Sequence, residues 1–346
     1  MKSPILLVVS FLILLSSCKP LGPESVIFES QVSGMTGSMR AVDVVDKNTV
    51  WMSGSGGEFA TTSDGGQSWT CKIVPGAEKL DFRDVHGFSK DKAILMSAGP
   101  GESSRIYKTS DAGQHWELIY QNTEPSGFFD GFDFQGQNAV LFSDPVDHYL
   151  NLLISEDGGN TWERLDTSLV PRMKPGEYAF AASGTSLQFD PSGGIWLATG
   201  GQVARIWYAS SLKSKWTIWD TSVIQGEPAT GLFSVAPRSS LRVVAVGGDY
   251  QNTDICGSNI TVMKRIGDVK WLIPEGAVKV PFLECVRWMN ASALVACGPP
   301  GVWFSPDRGL SWEEISTNGF HSMDLDVKAR VAWLVGANGK VNKMLW

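Results

Sequence analysis

No apolar run in this sequence of 346 residues is long enough to cross a bilayer as a helix. The longest, Ile5 to Leu15, is about 11 residues, roughly half the ~20 that a spanning helix requires. An excess of basic charge is also missing: 29 Lys and Arg stand against 36 Asp and Glu, a net charge of −7, which argues against a general nucleic-acid-binding surface. The histidines are His86, His115, His148 and His321, scattered without zinc-ligand spacing, and no two of the five cysteines form a CxxC pair. Neither a metal nor a cofactor is expected from such a pattern. Gly-x-Ser-x-Gly and His-Glu-x-x-His are absent, so neither a nucleophile elbow nor a helical zinc motif is present. Gly54-Ser55-Gly56-Gly57 follows a strand-like segment but leads into another strand, where a dinucleotide fingerprint would need a helix.

The short apolar run has a different use. Lys2 precedes it and Leu15-Ser16-Ser17-Cys18 follows it, the layout of an export signal ending in small residues. The ending resembles the lipobox of bacterial lipoproteins, in which the cysteine becomes the lipidated first residue. Residues 1–17 then form a lipoprotein signal peptide, Cys18 is the lipidation site, and residues 18–25, with Pro20 and Pro23, are a lipidated tether. This reading places the protein in the bacterial cell envelope, lipid-anchored on the periplasmic side of the outer membrane. Loss of Lys2 leaves 28 cations against 36 anions, a mature charge of −8.

What the chain has instead is a repeat. Thr62-Ser63-Asp64-Gly65-Gly66-Gln67-Ser68-Trp69 returns at Thr109 to Trp116, at Ser155 to Trp162 and at Ser305 to Trp312. In the form Ser/Thr-x-Asp-x-Gly-x-(Ser/Thr)-Trp it suits a hairpin turn: the carboxylate accepts from turn N–H groups, glycine supplies positive φ, and the tryptophan starts the next strand. The turn-terminal tryptophans Trp69, Trp116, Trp162, Trp216, Trp271 and Trp312 are 47, 46, 54, 55 and 41 residues apart, with degraded turns before Trp216 and Trp271. Short apolar strands ending in small residues give the fuller count: they start at Val50, Ala93, Ala139, Ile195, Val243, Leu294 and Val331, which makes seven units.

Four antiparallel strands in about 40–55 residues is the size of a propeller blade. The chain therefore reads as an all-β, seven-bladed β-propeller of four-stranded antiparallel blades over residues 26–346. The last unit stops before a fourth strand, and Val26 to Gln31 is the natural replacement, closing the ring through the N-terminal strand and removing exposed strand edges. The 14 tryptophans and 16 phenylalanines are then packing between blades, since each sheet buries both faces.

Strand alternation puts the Asp-containing turns opposite the starts of the inner strands. A site near the central channel would be built from those starts and from the loops after each second strand. The expected partner-binding residues there are Arg40, Arg83, Asp144, Arg172, Glu177, Tyr178, Arg205, Asp249 and Tyr250, several on the longest connection, Trp162 to Ser183, and on another long one, Gly247 to Asp254. Gly200-Gly201 and Gly247-Gly248 beside Arg205 and Asp249 let backbone approach a partner closely. If Met289 faces Ala293 across a hairpin, Cys285 faces Cys297, and the two are either a cross-strand disulfide or a pair of reduced core thiols.

The repeated turn resembles the Asp-box (bacterial neuraminidase) repeats of sialidases, some endoglucanases, sortilin-type receptors and the photosystem II stability/assembly factors with their bacterial relatives. In sialidases the family implies an arginine triad, a Tyr nucleophile with a Glu, and an acid/base Asp, and Glu177, Tyr178 and Tyr250 are residues of the right types. The Arg-Ile-Pro motif before the first box is replaced by Arg40-Ala41-Val42. A glycoside hydrolase using Asp130 or Asp133 with Asp144 is the other enzymatic alternative. The assembly factors look closer in form, and that resemblance implies a non-catalytic propeller whose arginine-bearing face, here Arg40, Arg83 and Arg205, receives a protein partner; a glycan is the other partner expected, and the chain is expected to be a monomer.

Overall fold

A computed structural model describes residues 26–266, 268–272 and 279–346. The signal peptide, the tether and Cys18 lie outside the described residues. Seven antiparallel sheets follow one another along the chain. Blade one is Met39–Val44, Val50–Gly54, Glu58–Thr62 and Thr70–Ile73; blade two is Asp81–Gly87, Ala93–Ala98, Arg105–Thr109 and Glu117–Gln121. Blade three is Phe129–Gln135, Asn138–Val146, Tyr149–Ser155 and Glu163–Arg164; blade four is Leu187–Phe189, Ile195–Ala198, Arg205–Ala209 and Trp216–Asp220. Blade five is Thr230–Ser239, Arg242–Asp249, Ile260–Ile266 and Asp268–Trp271; blade six is Cys285–Trp288, Leu294–Gly298, Gly301–Ser305 and Glu313–Ser316.

Blade seven takes three strands from the end of the chain, Ser322–Asp326, Val331–Val335 and Val341–Leu345, and its fourth from Ile27–Gln31. Ile27 pairs with Leu345 and Gln31 with Val341, so the two ends of the chain close the ring as the unit count requires. A single short 3-10 turn, Gly101–Ser103, is the helical content among the described residues.

The repeated turn joins the third and fourth strands and is built the same way each time. In the first copy the Thr62 hydroxyl donates to Asp64 Oδ1 at 2.8 Å and accepts the Gly66 N–H at 3.0 Å, while Asp64 accepts the Ser68 N–H at 2.9 Å. Asp111, Asp157 and Asp307 accept the corresponding N–H groups of His115, Thr161 and Ser311 at 2.8 to 3.0 Å. The Ser68 hydroxyl and amide hold the Asp64 carboxyl down at about 2, as the His115 amide and ring do for Asp111 and the Thr161 hydroxyl and amide for Asp157. Each carboxylate is used up inside its own hairpin.

The tryptophan that follows wedges between blades. Trp69 meets Trp333 of blade seven edge-on at 5.2 Å, and Trp116 meets Phe59 of blade one at 5.1 Å. Gly66 has to be glycine for two reasons: its φ is +87°, and a Cβ there would lie 2.3 Å from the Trp333 ring. Trp271 departs from the expected pattern, because it ends the fourth strand of blade five instead of starting it. No Asp turn precedes that strand to fix its entry.

Cys285 and Cys297 stand opposite each other in the register that Met289 and Ala293 imply. Both are buried free thiols, and the Cys285 thiol donates to the Met323 carbonyl at 3.4 Å.

Candidate functional site at the channel mouth

At the top of their inner strands, several blades insert one extra residue. The register slips between Met39 and Ala41, between Phe82 and Asp84, between Phe129 and Gly131, and between Leu232 and Ser234. In blade six, Glu284 N–H bonds the carbonyl of Cys297, which already faces Cys285; in blade seven, His321 N–H bonds that of Val335, which faces Ser322. A bulge re-aims a side chain out of the pleat. The bulged residues are Arg40, Arg83, Asp130, Phe233, Glu284 and His321, and all of them except Asp130 line one pocket of ≈ 350 Å³ on the face opposite the Asp turns.

The pocket has two arcs of different chemistry. On one, His321 Nδ1–H donates to Glu284 Oε2 at 2.7 Å, and Arg40 Nη1 lies 3.4 Å from that ring nitrogen and 3.9 Å from Glu284 Oε1. Arg83 is fixed by Asp81 through Nε at 2.6 Å and by the Ala181 carbonyl through Nη1 at 2.6 Å. Burial lowers the pKa of Arg40 against the pull of Glu284, and the neighbouring Arg83 lowers it further. The other arc is aromatic: Phe180 stacks on Phe233 at 4.0 Å, Phe233 meets Phe282 edge-on at 4.7 Å, and Tyr250 stands over Phe180 and Phe233 at 6.3 and 6.2 Å.

The floor comes from the long connection between blades three and four. Its Ala181–Thr185 stretch crosses the channel, held by Arg83 of blade two, by Thr185 Oγ1 to Ser234 Oγ of blade five at 2.6 Å, by Ser183 Oγ to the Glu284 carbonyl at 2.7 Å, and by Ser322 Oγ of blade seven to the Ser183 carbonyl at 2.9 Å. Below it is a cavity of only ≈ 30 Å³ lined by Asp43, His86, Asp133 and Arg287 among others. There, inner-strand carboxylates stitch blade to blade: Asp43 accepts the Gly87 N–H, Asp84 that of Phe132, Asp133 that of Phe189, and Asp324 that of Val44. A partner entering from the top therefore meets a blind pocket, not a pore.

Of the residues expected on this face, Arg40, Arg83 and Tyr250 come together. Asp249 holds the loop that carries Tyr250, accepting from Gln251 N–H and Asn252 Nδ2 at 2.8 Å each. Glu177 and Arg205 are corrected: they are 1% and 7% exposed, and they bind each other. Thr199 Oγ1 and Trp207 Nε1 also donate to Glu177. Their pair fastens the two-residue strand Glu177–Tyr178, which pairs with Gly200–Gly201 and through Gly200 with Gly231 of blade five, so they are internal and not a partner surface.

Tyr178, the second residue of that strand, remains exposed, and Arg172 lies on the rim of blade three, its Nε donating to Tyr149 Oη at 3.1 Å. Asp144 is half-buried near the buried Asp130; desolvation pushes Asp144 up to about 6 and Asp130 well above the usual range. Neither acid lines the channel-mouth pocket. Phe180, Phe233, Phe282, Glu284 and His321 were not anticipated. A column in the sequence marks three of them: Met39-Arg40-Ala41, Phe82-Arg83-Asp84, Leu232-Phe233-Ser234, Leu283-Glu284-Cys285 and Phe320-His321-Ser322 each place the pocket residue after a large apolar one.

The fold and site define a seven-bladed propeller with a blind, half-aromatic, half-cationic pocket at one channel mouth. Among solved structures the chain is similar to "YCF48 bound to D1 peptide", with a TM-score of 0.66, 14% identity, and coverage of 94% of this chain and 96% of that one. It is also similar to YCF48 from Cyanidioschyzon merolae (TM-score 0.65, 14% identity, 92% and 98% covered) and to the Pan2 WD40 domain of Neurospora crassa (0.58, 10%, 89% and 89%). No family model matches the chain, and no curated protein matches it. At these identities the likeness is one of fold.

Proposed function

We propose that this protein is a non-catalytic, monomeric β-propeller, lipid-anchored through Cys18 in the bacterial cell envelope, that binds an exported protein partner in the channel-mouth pocket. The observation that carries the reading is the pairing of two arginines, fixed by Asp81, Glu284 and the Ala181 carbonyl, with a continuous aromatic wall. Such a pocket suits a peptide segment that offers a carboxylate and a large apolar side chain together. A precedent for the fold supports it: the similar YCF48 structure carries a D1 peptide. The blind floor favours a chain end or loop tip over a threaded strand. The glycoside hydrolase alternative loses Glu177, whose oxygens are taken by Arg205, Thr199 and Trp207.

A photo-crosslinking amino acid at Tyr250, with one at Leu118 on the side of blade two as control, tests the reading in native envelopes. Capture of one protein from position 250 alone is the expected result. Identical products from both positions, or none from 250, would count against it.

A further inference from the structure

The face that carries the Asp turns is not neutral ground. On blades five, six and seven it displays Arg238, Arg242, Lys264, Arg308, Lys328 and Arg330, none of which forms an ion pair among the described residues. Burial, and then the like charge of the neighbouring Arg308, lowers the pKa of Arg242. Two acids of this face are engaged: Asp307 holds its own turn, and Asp326 accepts the N–H groups of Lys328 and Ala329 at 2.9 and 3.0 Å. Glu313 and Glu314 lie along the outer strand of blade six. Large apolar side chains stand among the cations. Leu241 is 53% exposed, and Leu310 and Val327 are each 45% exposed. A basic patch of this kind on a chain whose mature charge is −8 is a local departure from its surroundings.

The N-terminal strand starts on this same face. Ile27, itself 58% exposed, pairs with Leu345, and Leu345 pairs with Val331 at the end of the turn that carries Val327, Lys328 and Arg330. The eight tether residues, 18–25, reach at most about 28 Å when fully extended. Climbing past the outer strand to the pocket face would use about 17 Å of that. The chain therefore leaves the ring beside the basic–apolar patch.

We propose that the Asp-turn face of blades five to seven docks on an anionic lipid bilayer, with Arg242, Lys264, Arg308, Lys328 and Arg330 at the headgroups and Leu241, Leu310 and Val327 at the acyl boundary. A lipid at Cys18 tethers the chain without fixing how the ring faces the membrane, and a basic patch attracted to anionic headgroups would fix it. Docked this way, the ring turns its pocket away from the membrane, and an exported partner reaches it from the compartment. The orientation rests on the lipid anchor at Cys18 proposed above; the patch itself does not.

Two measurements separate these points. The Cys18→Ser mature chain, which has no lipid, is sedimented with vesicles of phosphatidylcholine alone or mixed with phosphatidylglycerol. Binding only to the mixed vesicles, weakening as salt rises, is expected, with a loss of roughly tenfold in Arg242→Glu/Arg308→Glu and no change in Arg83→Glu. Equal binding to both vesicle types, no binding, or equal loss in both variants overturns the proposal, as does retention on RNA or an acidic protein without vesicle binding. The lipidated chain on mixed vesicles is then treated with a membrane-impermeant maleimide. Cys256, exposed on the loop after Asp249, is expected to react while Leu241→Cys is protected. The reverse pattern overturns the orientation even where lipidation holds.

Discussion

Arg205 and Glu177 form a two-pronged ion pair in the interior, Nε to Oε1 at 2.9 Å and Nη2 to Oε2 at 2.5 Å, between blade four and the connection that floors the pocket. Removing one partner leaves the other charge buried without compensation. Arg205→Ala should lower the unfolding free energy by about 3–5 kcal/mol, read from urea denaturation. A loss no larger than that of an exposed arginine would mean the pair is solvated in solution.

The repeated turn predicts a contrast between two glycines of blade one. Gly66 has φ +87° and a Trp333 carbon 2.3 Å from its would-be Cβ, whereas Gly56 has φ +75° and nothing within 4 Å. Gly66→Ala should cost at least about 3 kcal/mol from strain and overpacking together. Gly56→Ala should cost only about 1 kcal/mol, from backbone strain alone. Thermal unfolding of the two variants side by side checks the difference.

The fold and the face were legible in sequence for a physical reason. Thr62, Asp64, Gly66 and Trp69 make a turn entirely from local hydrogen bonds and one wedge, so each copy declares itself without its neighbours. Blade five shows the limit: where the turn chemistry is degraded, Trp271 no longer marks a strand start. Arg40, Arg83 and Tyr250 were also legible, because inner-strand starts and long second-strand loops share one face. Glu177 and Arg205 were not, since their burial depends on a contact between Gly200 and Gly231 that no local pattern announces. The crossing of the channel by Ala181–Thr185 is likewise a long-range outcome, fixed by Ser234, Glu284 and Ser322 on three distant blades.

Stability should fall as pH rises through neutrality. Burial, with Asp324 close by, pushes Asp43 up to about 8, and burial pushes Asp133 up to about 6, from an ordinary 3.8. The surface left to Asp43 faces the narrow channel rather than bulk solvent. Both carboxyls hold protons more tightly folded than unfolded, so their contribution is complete below about pH 4 and is lost as pH climbs through 6 and 8. Asp64, Asp111 and Asp157, held at about 2, act oppositely, and their contribution is lost as pH falls from 4 towards 2. Urea midpoints should therefore peak near pH 4, and Asp43→Asn/Asp133→Asn should flatten the alkaline side. An unchanged slope in that variant would assign the effect elsewhere.

Tyr250 is 46% exposed and touches the aromatic wall only at its outer edge. On the proposed function, Tyr250→Ser should weaken partner binding by roughly tenfold or more, the scale of an aromatic hot spot, with little change in unfolding temperature. Isothermal titration with the captured partner, set beside thermal unfolding, reads both.

The most direct measurement is a crosslinking pull-down from native envelopes comparing wild type, Arg40→Glu/Arg83→Glu and Arg242→Glu/Arg308→Glu. The pocket account predicts one protein recovered with wild type and with the Asp-turn-face variant, and lost with the pocket variant while that variant still folds. Undiminished recovery with Arg40→Glu/Arg83→Glu would contradict it.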